Sequence, residues 1–84
     1  MYFLYILKCK DGTLYTGITT DINRRVNEHN SSSKGAKYTR VRRPVALVYS
    51  KKFKNRSTSS IAEAKIKAMT RLQKQEFIKE SKNK

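Results

Sequence analysis

The sequence predicts an α+β fold whose elements follow the order β-β-α-β-α-α. Two apolar runs typical of strands flank an Asp-Gly turn near the amino terminus, and a third such run follows Pro44. Three other segments repeat their apolar residues at helical spacing. With 84 residues the chain has room for a single small domain, which we assign to residues 1–80. Residues 81–84 are expected to form a frayed basic tail.

The first two strands are predicted to form a hairpin around residues 10–12. A two-residue loop would put Tyr5 and Tyr15 on opposite faces of the sheet, whereas a three-residue loop pairs Tyr5 with Gly17. In the longer loop Gly12 takes the left-handed position, and Gly17 leaves room for the Tyr5 ring. This register separates a tyrosine face from an aliphatic face, and a slip of one residue would mix the two, so we predict it. The aliphatic face holds Leu4, Ile6, Leu14 and Ile18.

The remaining elements are predicted from helix caps and apolar spacing. A first helix starts at a cap at Thr20 or Asp21, runs to about Asn30 and ends in a loop of residues 31–35. After a basic stretch, a third strand covers residues 45–50 and extends towards Phe53. The last two helices cover residues 61–69, with a stripe of Ala62, Ile66 and Met69, and a segment opened by a Thr70–Gln73 capping box that carries Leu72, Phe77 and Ile78.

The charge of the chain favours a polyanionic partner. Twenty Lys and Arg residues against six Asp and Glu residues give a net charge of +14. Such an excess repels itself in a compact fold and is best tolerated beside a nucleic acid, with an anionic membrane surface as a weaker second choice. Between His29 and Ala62 no acidic residue interrupts the basic ones. We expect contacts to the phosphate backbone, without base recognition, from Lys34, Lys37, Arg40, Arg42 and Arg43.

Several classes of protein and site are excluded by composition. The single Cys9 permits no internal disulfide and no zinc site made of cysteines, and the single His29 permits no multi-histidine metal site. The longest apolar run, residues 2–7, is far shorter than the roughly 20 residues that span a bilayer. It also lacks the features of a signal peptide. We therefore expect a cytoplasmic protein that has no membrane partner.

Two short motifs carry a resemblance to a known family. Phe3-Leu4-Tyr5 and Tyr15-Thr16-Gly17, followed by Arg25, resemble the GIY-YIG nuclease family. The segment Leu14–Asp21 together with Arg24-Arg25 is similar to its small stand-alone members, called URI-type proteins. The similarity extends from Tyr2 to about Gln75. Phe3 stands where the family has its first glycine, Thr16 replaces the isoleucine of the second motif, and no residue matches the asparagine that some members carry.

The resemblance implies a three-stranded antiparallel sheet with flanking helices, one divalent ion (Mg²⁺ or Mn²⁺) and hydrolysis of a phosphodiester in DNA. Matched position by position, it implies a catalytic set in which Glu63 also binds the metal. The set is Tyr5, Tyr15, Arg25, His29 and Glu63.

Each of these residues also has a structural interpretation. Tyrosine is a good strand former, and Arg25 has an acid one turn away, Asp21, with which it could form an exposed ion pair. Arg24 could pair with Glu28 in the same way. His29 could be a cation at the carboxyl end of its helix.

Glu63 has two interpretations that depend on where its helix begins. It is the third residue after Ser60, so it could complete a capping box there. If the cap is Asn55 or Ser57 instead, Glu63 lies in the helix interior, where it is available to a metal ion.

We therefore predict a divalent-metal-dependent DNA endonuclease, with structured or damaged DNA as candidate substrates. The alternative is a nucleic-acid-binding module of the same fold with little or no cleavage activity. In either case a protein partner could supply substrate specificity. The presence of all five polar candidates favours the enzyme, because a binding module needs only the basic surface.

Overall fold

The computed structural model describes residues 1–32 and 34–82, and it confirms the predicted sheet. Strands β1 (Tyr2–Lys8), β2 (Leu14–Thr19) and β3 (Ala46–Phe53) are antiparallel and lie in the order β2-β1-β3. The first strand is therefore central and is paired along both edges. Residue 33 of the predicted loop and residues 83 and 84 of the predicted tail lie outside the described residues.

The helices agree with the predicted order, with one addition. They are α1 (Ile22–Ser31), α2 (Lys37–Arg40), α3 (Arg56–Lys67) and α4 (Arg71–Lys82). The four-residue α2 was not predicted, because its sequence has no apolar repeat. The third helix begins before the predicted residue 61 because Asn55 caps it, and the fourth continues through Ser81, where the tail was expected to begin. The Thr70–Gln73 capping box is confirmed by reciprocal hydrogen bonds of 2.9 and 3.2 Å.

The three-residue hairpin loop is confirmed. The Cys9 amide donates to the Thr13 carbonyl at 2.8 Å, and Gly12 adopts a φ of +85°. Tyr5 consequently lies opposite Gly17, and Leu7 lies opposite Tyr15. Gly12 is at a left-handed position that only glycine adopts without strain, so it favours this three-residue loop. The loop length sets the register, and the register decides which side chains share a face of the sheet.

Both faces of the sheet are covered. Leu4 and Ile6 pack with Ile66 of α3 and Ile78 of α4, and the rest of the predicted aliphatic face and helix stripe surrounds them. On the other face Tyr5 and Leu7 form a second cluster, against which Val26 of α1 packs. Leu72, predicted on the apolar side of α4, is instead 74% exposed, because the helix turns only its later residues towards the sheet.

Thr16 is an anomaly on the aliphatic face. It is 3% exposed, and its hydroxyl has no hydrogen-bond partner among the described residues. A buried hydroxyl without a partner costs free energy, and valine has nearly the same shape without it. We predict that Thr16→Val raises the free energy of unfolding, measured with denaturant, by about 1 kcal/mol.

Thr39 provides the matched control for this change. It is equally buried, but its hydroxyl is hydrogen-bonded, so Thr39→Val should lower the free energy of unfolding. A loss of stability in Thr16→Val would contradict the packing described here.

Candidate active site

The centre of the site is a hydrogen bond between β1 and α1. The Tyr5 hydroxyl lies 2.9 Å from His29 Nε2, and the two residues are 1% and 0% exposed. Gly17 permits this placement, since a Cβ atom there would lie only 2.6 Å from the Tyr5 hydroxyl oxygen. The missing side chain on β2 therefore lets the Tyr5 ring lie flat over the neighbouring strand and reach α1.

Tyr15 joins the same cluster from β2. Its ring centroid lies 5.1 Å from that of His29 and 6.5 Å from that of Tyr5. On the solvent side it stacks on Tyr38, with the centroids 6.0 Å apart. The Arg42 guanidinium lies 4.0 Å from the centre of the Tyr38 ring. Tyr15 is thus the half-exposed member of the tyrosine pair, and Tyr5 is the buried one.

Arg25 connects this cluster to an open cleft. Its guanidinium donates to Glu28 Oε1 at 3.0 Å and to the Lys34 carbonyl at 2.9 Å, and its interaction with Tyr5 acts to lower the pKa of that phenol. The residue also lines a cleft of about 380 Å³ whose wall includes Arg24 and Arg56. Three arginines and a single acidic residue, Glu28, line the cleft, and this excess of positive charge is suited to an anion such as a phosphate.

The ion pairs of α1 differ in part from those expected. Asp21 does not pair with Arg25 but caps the helix, accepting a hydrogen bond of 3.1 Å from the Arg24 amide. The predicted contact between Arg24 and Glu28 is present at 4.0 Å. Arg25 takes the stronger bond to the same Glu28 carboxylate, because its side chain points inward along the helix.

Glu63 lies in the interior of α3. The Asn55 side chain caps this helix by accepting from the Thr58 amide at 2.9 Å, so the interpretation of Glu63 as a capping-box partner of Ser60 is wrong. The carboxylate is 21% exposed and lies 3.4 Å from Lys67 Nζ. It is also close enough to the tyrosine cluster for its charge to raise the pKa of Tyr5.

The donor set limits what kind of metal ion the site could hold. No group of three or more His, Cys, Asp or Glu side chains comes together within residues 1–32 and 34–82. A site for zinc or another ion held mainly by side chains is therefore absent from this part of the chain. A lone half-buried carboxylate does fit Mg²⁺, which is commonly held by one or two carboxylates together with water and substrate phosphate.

Burial keeps the two central groups uncharged. It raises the pKa of the Tyr5 phenol above its ordinary value of 10.0, even though the interaction with Arg25 acts in the opposite direction. Burial and then the Arg25 charge lower the pKa of His29 to about 4. The interpretation of His29 as a cation at the helix end is therefore wrong, and at neutral pH its imidazole is uncharged and has a lone pair that can accept a hydrogen bond.

Residues that sequence reasoning missed hold the next segment against the end of α1. A Cβ atom on Gly35 would lie 2.6 Å from the Glu28 carbonyl oxygen, so only glycine lets the chain pass there. Asn30 forms two hydrogen bonds, of 2.7 and 3.0 Å, with the backbone of Val45. Thr39 Oγ1 lies 2.7 Å from His29 Nδ1. Of these residues, only Gly35 could have been noticed in the sequence, because a glycine within a basic segment can indicate a close approach of the backbone.

The five residues predicted to contact DNA fall into two groups. Lys34, Lys37 and Arg40 are exposed. Arg42 instead forms an ion pair with Asp11 at 3.0 Å, and Arg43 donates to the last carbonyls of α1. The guanidinium group of Arg42 therefore holds the hairpin loop, and that of Arg43 holds the end of α1.

Comparison with known proteins identifies the family of this chain. Residues 1–76 match the model of the GIY-YIG catalytic domain. The chain belongs to the GIY-YIG family. A UPF0213 protein from Desulfotalea psychrophila is 55% identical over 95% of this chain and 73% of its own length, and one from Streptococcus agalactiae is 53% identical over 96% and 91%. These names state no activity.

Solved structures share the GIY-YIG fold described above. A solution structure of a UPF0213 protein from Bacillus halodurans has a TM-score of 0.61 at 42% identity and covers 94% of this chain and 84% of that one. A solution structure of a protein from E. faecalis has a TM-score of 0.69 at 44% identity, with coverages of 99% and 88%.

Among the helices of the described residues, none has the length and apolar character needed to cross a bilayer.

The titration of His29 tests the burial of the site. Because it is the only histidine, its ring signal in an NMR titration is unambiguous. We predict a midpoint near pH 4, as burial and the cations Arg25 and Arg43 oppose protonation more than Glu28 favours it. A midpoint between 6 and 7, the range of an exposed histidine, would contradict the buried site.

The same difference in pKa predicts how stability depends on pH. The unfolded chain, with the ordinary histidine value of 6.5, binds a proton more readily than the folded chain, with a value of about 4. Protonation of His29 in the unfolded chain therefore lowers the free energy of unfolding as the pH falls from 6.5 towards 4, and above pH 6.5 this loss is absent.

Proposed function

We propose that this protein is a divalent-metal-dependent endonuclease that hydrolyses phosphodiester bonds in DNA. The observation that carries the proposal is the hydrogen-bonded pair of Tyr5 and neutral His29, placed behind an arginine that lines an open, arginine-walled cleft. Phosphodiester hydrolysis needs a proton acceptor for the attacking water and positive charge for the phosphate. Both lie within one small region of this fold.

Arg25 is the proposed phosphate ligand. Its side chain is rigidly held by Glu28 and the Lys34 carbonyl, and it faces the cleft that Arg24 and Arg56 also line. A guanidinium fixed in advance costs little to reorganise when negative charge grows on the phosphoryl oxygens. Arg24 and Arg56 are suited to neighbouring phosphates of the same strand.

The tyrosine and the histidine are proposed to move the proton. The Tyr5 hydroxyl takes a proton from the attacking water while its own proton passes to His29 Nε2, which leaves a neutral phenol and an imidazolium ion. The water oxygen forms the new bond to phosphorus, the bond to the leaving oxygen breaks, and solvent protonates that oxygen. Tyr5 is only 1% exposed, so the attacking water would have to reach its hydroxyl from the side of Arg25, the residue that lines the cleft and interacts with the phenol. Tyr15 helps by packing on the His29 ring.

Glu63 is the proposed metal ligand. A divalent ion such as Mg²⁺ or Mn²⁺, when bound, supplies charge that polarises the phosphoryl oxygens. The carboxylate is half-buried, is not used as a helix cap and acts electrostatically on Tyr5. Its partner Lys67 would have to release it when the ion binds.

The exposed basic residues are proposed to hold the DNA backbone. Lys34 lies beside Arg25, which donates to its carbonyl, and Lys37 and Arg40 are exposed residues of α2, which contacts α1. Contacts of this type do not read bases, which is consistent with structured or damaged DNA as the substrate and with a protein partner that supplies specificity. A cytoplasmic location is part of the same proposal.

One observation favours the alternative of a binding module with little cleavage activity. Within the described residues Glu63 is a lone carboxylate already paired with Lys67, so the site has a weak hold on a metal ion. Both functions predict DNA binding, and only the enzyme predicts metal-dependent cutting.

The test is cleavage of nicked, branched, single-stranded and duplex DNA with Mg²⁺ or Mn²⁺. We predict that the wild type cuts at least one of these substrates and that Glu63→Gln abolishes metal-dependent cutting. Glu76→Gln, which removes the same charge from an exposed position on α4, is the matched control and should cut normally. A folded Glu63→Gln protein with the wild-type rate would contradict the metal assignment.

DNA binding by the same proteins separates the two functions. Neither change should weaken affinity, because removing a negative charge from a +14 protein cannot weaken its attraction to a polyanion. For all three proteins affinity should fall steeply with added salt. Salt-sensitive binding without cutting by the wild type would favour the binding module.

A further inference from the structure

Thr39, a fully buried threonine of α2, touches the far side of His29. Its Oγ1 atom lies 2.7 Å from His29 Nδ1 and 2.9 Å from the Ala36 carbonyl oxygen. The Ala36 amide N–H also points at this ring nitrogen, but at 3.4 Å its contact is longer and weaker than that of the hydroxyl. The imidazole is thus held between Tyr5 at Nε2 and Thr39 at Nδ1.

Tyr5, His29, Thr39 and the Ala36 carbonyl form a row of hydrogen-bonded groups, and the two groups at its ends decide which way the bonds run. At one end the Tyr5 hydroxyl has a single acceptor among the described residues, His29 Nε2 at 2.9 Å. At the other end the Ala36 carbonyl can only accept. One arrangement gives the phenol, imidazole and threonine protons an acceptor each: Tyr5 donates to Nε2, Nδ1–H donates to Thr39, and Thr39 donates to the carbonyl.

The reverse arrangement leaves a buried proton without an acceptor. If Thr39 donated to Nδ1, that nitrogen could also accept the long contact from the Ala36 amide, but the ring proton would be on Nε2 and would point at the Tyr5 oxygen. The Tyr5 proton would then have no acceptor that the described residues provide, a loss that buried groups rarely sustain. Because the bond at one ring nitrogen sets the proton on the other, the hydroxyl of α2 decides the tautomer.

The geometry points to Thr39 as a positioning residue: it fixes His29 with its proton on Nδ1, and so keeps the Nε2 lone pair aimed at Tyr5. This inference rests on the proposed function, because it concerns the same proton transfer. When Nε2 takes the Tyr5 proton, the resulting imidazolium has an acceptor for each N–H, the phenol oxygen and Thr39. Gly35 brings the threonine into place by letting the chain cross the end of α1.

The first test is the ¹⁵N spectrum of the imidazole at neutral pH, which reports which ring nitrogen is protonated. His29 is the only histidine, so the wild-type spectrum needs no assignment by mutation. We expect the protonated shift at Nδ1 and the unprotonated shift at Nε2. A proton on Nε2, or an average of the two forms, would overturn the inference whether or not any variant folds.

The second test compares variants at the same position. Thr39→Val keeps the shape but removes the hydroxyl, and we expect an averaged tautomer and a cleavage rate lower by about tenfold or more, as for other groups that orient a functional histidine. Thr39→Ser should restore both. Thr16→Val, which makes the same chemical change at a buried position on the opposite face of the sheet, should alter neither. Folded Thr39→Val with the wild-type tautomer and rate would also overturn the inference.

The two readouts separate this inference from the proposed function. A wild-type protein that holds the Nδ1–H tautomer but cuts no DNA would support the hydrogen-bond direction and contradict the proposed reaction. A protein that cuts DNA with the proton on Nε2 would support the reaction and contradict the role of Thr39.

Discussion

The bond between Tyr5 and His29 is the interaction on which the arrangement of the site depends. It joins the central strand to the first helix through two side chains that are 1% and 0% exposed, in a domain too small to have a deep core. Three features of the chain serve this bond. The hairpin loop sets the register, Gly17 clears the space above β2, and the segment after α1 closes over the imidazole.

The same burial explains the chemical character of the site. In a protein with a net charge of +14, a histidine near two arginines would lose its proton readily even at the surface, and burial adds to this effect. The imidazole is thus uncharged at neutral pH, and the phenol beside it keeps its proton. The positive charge resides instead on Arg25 at the cleft, where an anion can reach it. The phenol of Tyr5 is hydrogen-bonded to the neutral imidazole and interacts with this cation.

Much of this architecture was predictable from local patterns. The hairpin register followed from sorting alternate side chains at Tyr5, Tyr15 and Gly17, because a one-residue slip exchanges the faces of a sheet. The cap at Thr70 was also found, and that of the first helix was narrowed to Thr20 or Asp21, of which the structure has Asp21, since capping depends on residues three apart in sequence. The start of α3 at Asn55 was left open, because several polar residues there can cap a helix equally well.

The parts that could not be predicted depend on contacts between distant segments. Thr39 is ten residues from His29 in a stretch without apolar periodicity, and nothing local indicates that it faces a ring nitrogen. Arg43 was predicted as a DNA contact from charge alone, whereas its guanidinium donates to three carbonyls at the end of α1. Charge in a sequence indicates how many cations there are, but the fold decides which of them are engaged internally.

The most direct measurement of the central claim is the DNA cleavage rate of Tyr5→Phe against that of Tyr49→Phe. Both tyrosines have a raised pKa, but Tyr49 lies on the opposite face of the sheet, where its ring packs on Phe77. If the Tyr5 hydroxyl passes a proton to His29, the first variant should lose roughly a hundredfold or more in rate and the second should remain near the wild type. Wild-type cleavage by a folded Tyr5→Phe protein would contradict the account.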